Sequence, residues 1–153
     1  MSAKYFKRVL YRSSAAIVSS LTKTGTYPDY TIAGWTPLVG NVIAAAHTPD
    51  KEKEENADGG STMQVVAEKV ATEITISDFT TAEYATVRAL KNMKLDILFL
   101  DPDQPDLAYA VFGVRVYPKP EFAAGETPKI VISGERKYGS SLSTEPMQLV
   151  VIS

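Results

Sequence analysis

The chain has 153 residues, a hydrophobic fraction of 44%, a charged fraction of 22% and a formal net charge of -2. A chain near this length suits one domain and buries roughly 68–70% of its unfolded surface, enough for a core without disulfide or metal. The composition excludes a disordered chain and any global attraction to nucleic acid or anionic lipid, and the lack of cysteine excludes disulfide frameworks, thiolate metal sites and cysteine nucleophiles.

At the start, Lys4, Lys7, Arg8 and Arg12 precede Ala15-Ala16-Ile17-Val18, a loose mimic of a signal peptide. The apolar stretch is short and flanked by Ser13, Ser14, Ser19 and Ser20, so it reads as mature protein. No apolar run approaches a membrane span. A cysteine-free chain fits a reducing cytoplasm, and equally an extracellular particle made in one. Residues 1–34 are rich in Ser, Thr, Tyr and Gly, with Tyr5, Phe6, Val9, Leu10 and Tyr11 forming a strand or a docking arm and Gly25 and Tyr27-Pro28-Asp29 marking turns.

Trp35 to Ala46 reads as a strand broken by Gly40-Asn41, a bulge or tight turn. The segment 47–62 then carries unbroken charge from Asp50 to Glu55, followed by Asp58-Gly59-Gly60-Ser61, and reads as a long solvated loop or one that folds on a neighbour. From Met63 to Ser77 the period is two: Val70, Thr72, Ile74 and Ile76 on one face, Lys69, Ala71, Glu73 and Thr75 on the other. A helix over about 80–93 follows. Thr80 and Glu83 form a capping box, Phe79 and Tyr84 a hydrophobic staple, and Ala82, Ala85, Ala89, Leu90 and Met93 an apolar stripe, with Lys91 and Lys94 at the negative end of the dipole.

Strands are expected at Leu95–Leu100, Ala108–Tyr117 (stopped by Pro118-Lys119-Pro120), Lys129–Tyr138 and Met147–Ile152. Turns fall at Asp101 to Asp106, at Gly125 to Pro128 and at Gly139-Ser140-Ser141. The fold class is mainly β: an antiparallel β-sandwich or barrel of about six or seven strands flanked by one helix.

Candidate chemistry is sparse. His47 is the only histidine, stands beside Thr48-Pro49 with no nucleophile motif, and reads as an exposed loop residue. Asp101, Asp103 and Asp106 lack the glycine and glutamate of a calcium loop, so a turn is expected. The Asp-Lys-Glu-Lys-Glu-Glu run has cancelling signs and is no nucleic-acid patch. Gly59-Gly60 lacks the lysine of a phosphate loop and supplies a turn. Tyr109 and Tyr117 fall on the face opposite Phe112, so no stacking platform forms. No carboxylate pair stands out for glycoside hydrolysis. No metal, cofactor or catalytic set is assigned.

One progression is familiar. Val39-Gly40-Asn41-Val42 leads into the charged loop, then Gly59-Gly60-Ser61-Thr62, then a strand ending Ile74-Thr75-Ile76-Ser77-Asp78-Phe79, then Thr80-Thr81-Ala82-Glu83 opening a helix with Arg88-Ala89-Leu90 near its end. Over about residues 36–100 this resembles the tail tube (major tail) proteins of tailed bacteriophages and related contractile injection tubes. The resemblance implies a single β-sandwich or barrel domain over 1–153 that assembles into a ring, a hexamer in that family. Rings stack into a tube whose sheet-lined lumen passes DNA, in a virion tail made in the host cytoplasm. It implies no catalysis, other tail proteins as partners, and inter-subunit contacts from the 47–62 loop: His47, Asp50, Lys51, Glu52, Lys53, Glu54, Glu55, Asp58, Gly59 and Gly60. Residues 1–34 would serve as an N-terminal docking arm. The alternatives are another phage structural protein, such as a tail terminator or capsid decoration protein, a β-sandwich binding module for carbohydrate or protein, and a hydrolase with a carboxylate pair brought together by the fold.

Overall fold

A computed structural model describes residues 8–27, 29–55, 63–139 and 144–153; for 50–55, 63–67 and 139 it describes the backbone alone. Eleven strands and one helix follow in chain order: β1 (Val9–Ser13), β2 (Ser20–Leu21), β3 (Lys23–Thr24), β4 (Thr31–Ile32), β5 (Thr36–Pro37), β6 (Asn41–Glu55), β7 (Met63–Ser77), α1 (Thr81–Arg88), β8 (Lys94–Leu100), β9 (Leu107–Glu121), β10 (Lys129–Gly139) and β11 (Met147–Ile152). The main sheet runs β5-β1-β8-β9-β10-β7-β6, with β11 beside β9 and β2 beside β11; β3 and β4 form a separate pair. All pairs are antiparallel except β11 with β2.

The sheet folds over on itself. Val9, Leu95, Ile97 and Phe99 from β1 and β8 share one core with Val70, Ile74, Ile76, Ile130 and Ile132 from β7 and β10. A second core lies on the other side of β1, β8 and β9, where Leu98, Leu100 and Phe112 meet Tyr30, Ile32 and Trp35 from the β4–β5 region and Val150 and Ile152 from β11. Strand β8 is therefore buried on both faces from Leu95 to Leu100, as its nearly continuous apolar sequence requires.

β7 and β11 span Met63–Ser77 and Met147–Ile152, the bounds that their patterns gave. Val70, Thr72, Ile74 and Ile76 are all buried. The helix starts as expected: Thr80 Oγ1 accepts the Glu83 N–H at 3.2 Å, Glu83 Oε1 accepts the Thr80 N–H at 2.9 Å, and the Phe79 and Tyr84 rings lie 5.9 Å apart. Those backbone bonds, the Thr80 one first, hold the Glu83 carboxyl below its usual range.

Three expectations are corrected. The helix ends at Arg88, not near 93. The chain continues in tighter turns, with Leu90 N–H bonded to Val87 O and Met93 N–H to Leu90 O, until Asn92 takes a left-handed φ of 63°. Its buried residue is Val87, joined past the helix end by Leu90, whereas Ala82, Ala85 and Ala89 are exposed and Met93 is 38% exposed. Alanine is a good helix former on any face, so it misreports the buried one. The strand expected as one of two readings around Val9 and Leu10 is found: both are buried in β1, which pairs with β8, while Tyr5 and Phe6 lie outside the described residues. Finally, β9 does not stop at Pro118. Pro118 pairs with Ile132 and Pro120 with Ile130. Strand β8 has ended by then, its last pair being Lys94 with Arg115, so the prolines face an open side where no N–H is needed.

A bulge divides β9. Leu95 pairs with Val114 and Ile97 with Val111, so β9 spends one more residue than β8 between them. Gly113 takes φ 75°, and a Cβ there would stand 2.7 Å from Arg136 Nη1. Opposite the bulge sits Asp96, fully buried. Its Oδ1 accepts the Gly113 N–H at 2.8 Å; its Oδ2 accepts Arg12 Nε at 2.8 Å and the Ala15 N–H at 2.9 Å. Arg12 in turn lies over the Trp35 ring, 4.4 Å from its centroid. The bulge also reverses the side on which later residues fall. Tyr117 thus leaves the side of Tyr109 for that of Phe112, against the simple alternation, and it is 44% exposed.

Candidate assembly surfaces

The expected loop at 47–62 is, up to Glu55, a strand. β6 and β7 form a hairpin paired from Asn41 with Ser77 out to Glu55 with Met63. A run of charge carries no apolar pattern to mark a strand, yet backbone pairing with β7 is enough to make one. Gly40 sets the root: its φ is 83°, its N–H reaches Glu83 Oε2 at 3.3 Å, and a Cβ would stand 3.3 Å from Ser77 O. Glu83 thereby ties the helix start to the hairpin. A bulge between Val42 and Ala44 turns Ile43 outward, 56% exposed.

The sheet thins along this hairpin. β9 leaves β10 after Arg115 pairs with Glu135, and β10 ends where Gly139 pairs with Ala67. Beyond Ala67, among the described residues, the two hairpin strands alone continue, and a second register shift, between Glu52 and Lys53, falls at that point. An isolated two-stranded ribbon is marginal in water. Among the described residues, no strand pairs with the outer edge of β6. The Ile43 bulge, Pro49 and the charges from Asp50 to Glu55 guard parts of that edge, while Ala44 to Thr48 are left unguarded.

His47 is not an exposed loop residue. Its ring stacks on Phe99 of β8, centroids 3.7 Å apart and planes 7° from parallel. His47 Nδ1 is hydrogen-bonded to Thr72 Oγ1 at 2.9 Å, and the same hydroxyl lies 3.3 Å from Ala46 O. Nε2 is covered and has no hydrogen-bond partner among the described residues, although the residue itself keeps part of its surface on the edge strand. Burial lowers the His47 pKa to about 3, while backbone groups of Tyr109 and Ile97 oppose the shift without reaching bonding geometry. His47 thus pins the hairpin to the body. The neutral ring is favoured in the folded chain and the unfolded ring titrates near 6.5, so stability is complete above pH 6.5 and falls as pH drops from there toward 3. We expect the unfolding free energy from urea titrations to fall by at most about 1.4 kcal/mol per pH unit in that window, and His47→Phe to remove this part of the slope.

Of the other residues expected at contacts between subunits, Asp50, Lys51, Glu52, Lys53, Glu54 and Glu55 stand on β6, and Asp58, Gly59 and Gly60 lie outside the described residues. Asp101 anchors a turn. Its Oδ1 accepts the N–H groups of Asp103 and Gln104 at 2.8 and 3.2 Å, and its Oδ2 accepts the Tyr109 hydroxyl at 2.6 Å. Among the described residues no group of three or more acidic or histidine side chains is placed to hold a metal ion.

Two surfaces escaped the sequence reading. The outward face of β6, β7, β10 and β9 has no layer over it among the described residues and forms a shallow concavity of about 620 Å³. Ala44, Ala46, Ala71 and Ser133 keep it low, and Glu73, Glu135 and Arg115 supply its charges. On β11, Met147, Leu149 and Val151 are 36%, 57% and 53% exposed. That strand is apolar at nearly every position, so no alternation in its sequence marks the side that faces water.

No family model matches the chain, and no curated protein does. Similar solved structures include Hcp1 from Salmonella typhimurium, 8% identical, covering 94% of this chain and 92% of that one with a TM-score of 0.40. Another is the six-fold symmetrised baseplate of the anti-feeding prophage, 10% identical, covering 93% and 99% with a TM-score of 0.39. Both scores lie below the level at which a shared fold follows, so the function is read from the chain's own surfaces.

Proposed function

We propose that this chain is a structural subunit of a phage tail tube or related injection tube, working by self-assembly and without catalysis. The observation that carries the reading is the β6–β7 ribbon, which among the described residues outruns the strands beside it and has an edge that no strand pairs with. Such an edge is an aggregation site unless a neighbour pairs with it, and a closed ring removes the edges of all its members at once. The order of sequence features from Val39 to Leu90 supports the same class. In this reading the uncovered face of β6, β7, β10 and β9 lines the lumen. Small side chains and charges of both signs suit a wall that DNA passes without being held. Ring number six, stacking, other tail proteins as partners and a place in the virion tail come from the resemblance.

The test is sedimentation velocity and negative-stain microscopy of the purified full chain over rising concentration. Rings or tubes are expected. A species that stays monomeric throughout would overturn the reading.

A further inference from the structure

We infer that the open edge of β11, with Met147, Leu149 and Val151, receives the tip of the β6–β7 ribbon from a second copy of this chain. The inference rests on the assembly reading above and names the contact it lacks. The hydrogen-bond phase of β11 is set by its ends. Ile152 N–H bonds to Asp106 O and Phe112 N–H to Pro146 O, so the even-numbered residues of β11 bond toward β9. The odd-numbered ones point away from β9: Val151 N–H bonds to Ser19 O and Ser153 N–H to Leu21 O. β2 pairs only with Val151 and Ile152. The outward backbone groups of Met147 and Leu149 therefore have no described strand beyond them, and the exposed apolar side chains stand on these same odd positions.

The occupant follows from the ribbon. Beyond Ala67 it has two outer edges. The β6 edge carries a charge at every residue from Asp50 to Glu55, which discourages strand pairing. The β7 edge reads Met63-Gln64-Val65-Val66-Ala67, with Met63 and Val65, beyond the register shift, at the same two-residue spacing as Met147 and Leu149. Pairing these segments matches apolar side chains across the strands, satisfies the outward groups of Met147 and Leu149, and gives the marginal ribbon a third strand. Donor and acceptor are different parts of one chain, so the contact is head-to-tail and can close a ring or continue along a stack.

The chain has no cysteine, so the contact can be mapped by cross-linking in the full chain. Val65→Cys and Leu149→Cys proteins are mixed, allowed to assemble and oxidised; strands paired in this way bring Cβ atoms within disulfide reach. A disulfide dimer holding one of each variant is expected, well above the dimer formed by either variant alone. In parallel, Leu149→Lys should raise the concentration needed for assembly roughly tenfold or more with an unchanged melting temperature. Assembled material without the mixed disulfide would overturn this contact while leaving the tube reading in place. A dimer from Leu149→Cys alone would overturn it in favour of β11 meeting β11. A wild-type chain that never assembles would overturn both.

Discussion

Asp96→Ala should destabilise the fold by about 3–5 kcal/mol, the usual cost of removing one member of a buried ion pair. The carboxylate is fully buried and accepts three bonds, from Arg12 Nε, Ala15 N–H and Gly113 N–H. Alanine leaves three donors facing a space that it cannot fill with an acceptor. The Arg12 side chain is only 19% exposed and lies over Trp35, so it cannot regain full hydration without leaving the second core. In a chain of this size such a loss lowers the melting temperature by roughly 10 °C or more. Thermal and urea unfolding would check it, with Arg12→Met, Asp96→Leu and their combination completing a double-mutant cycle. The double variant should recover much of the loss, because two apolar groups leave no unpaired charge. A loss below about 1 kcal/mol for Asp96→Ala would mean that water satisfies the three donors.

The second large effect is on assembly. Excising Glu52–Ala67 and joining Lys51 to Glu68 through Asn-Gly should abolish rings and tubes while the body stays folded. Lys51 and Glu68 are register partners, so a two-residue turn can close the shortened hairpin without shifting the pairs below it. His47 on Phe99 and the buried β7 residues among those described, Val70, Thr72, Ile74, Ile76 and Ser77, lie on the retained side of the cut. The melting temperature should therefore move by less than about 4 °C, the equivalent of about 1 kcal/mol. Tubes from the shortened chain would refute the role given to the ribbon; an unfolded product would make the ribbon part of the fold.

Much of this architecture was legible in the sequence. β7 shows because one of its faces is buried and the other is wet, which writes a period of two into Val70 to Ile76. The start of α1 shows because its cap is local chemistry between Thr80 and Glu83. What failed depended on neighbours. Asp50 to Glu55 read as loop because strands are recognised in a sequence by an apolar pattern, and an unbroken run of charge has none. Pro118 and Pro120 read as a stop because nothing local says that β8 has already ended. The alanines of α1 read as a core stripe although the sheet meets Val87 and Leu90 instead. Of the candidate assembly surfaces, the ribbon was placed by its charge and glycines, while the β11 row was hidden in a strand that is apolar throughout.

The bulge at Gly113 has a further effect on how the molecule is partitioned. One extra residue acts as a phase shifter along β9. Before it, odd positions such as Tyr109 and Val111 face the first core, and after it the even positions Val114 and Val116 do. A single strand can thus help seal two cores in one half and leave its other side bare in the other half, where Arg115 and Tyr117 join the uncovered face. The boundary between the part of the sheet that helps seal both cores and the part whose other side joins the concave face is drawn by that one residue, and Asp96, by accepting its N–H, holds the boundary in place.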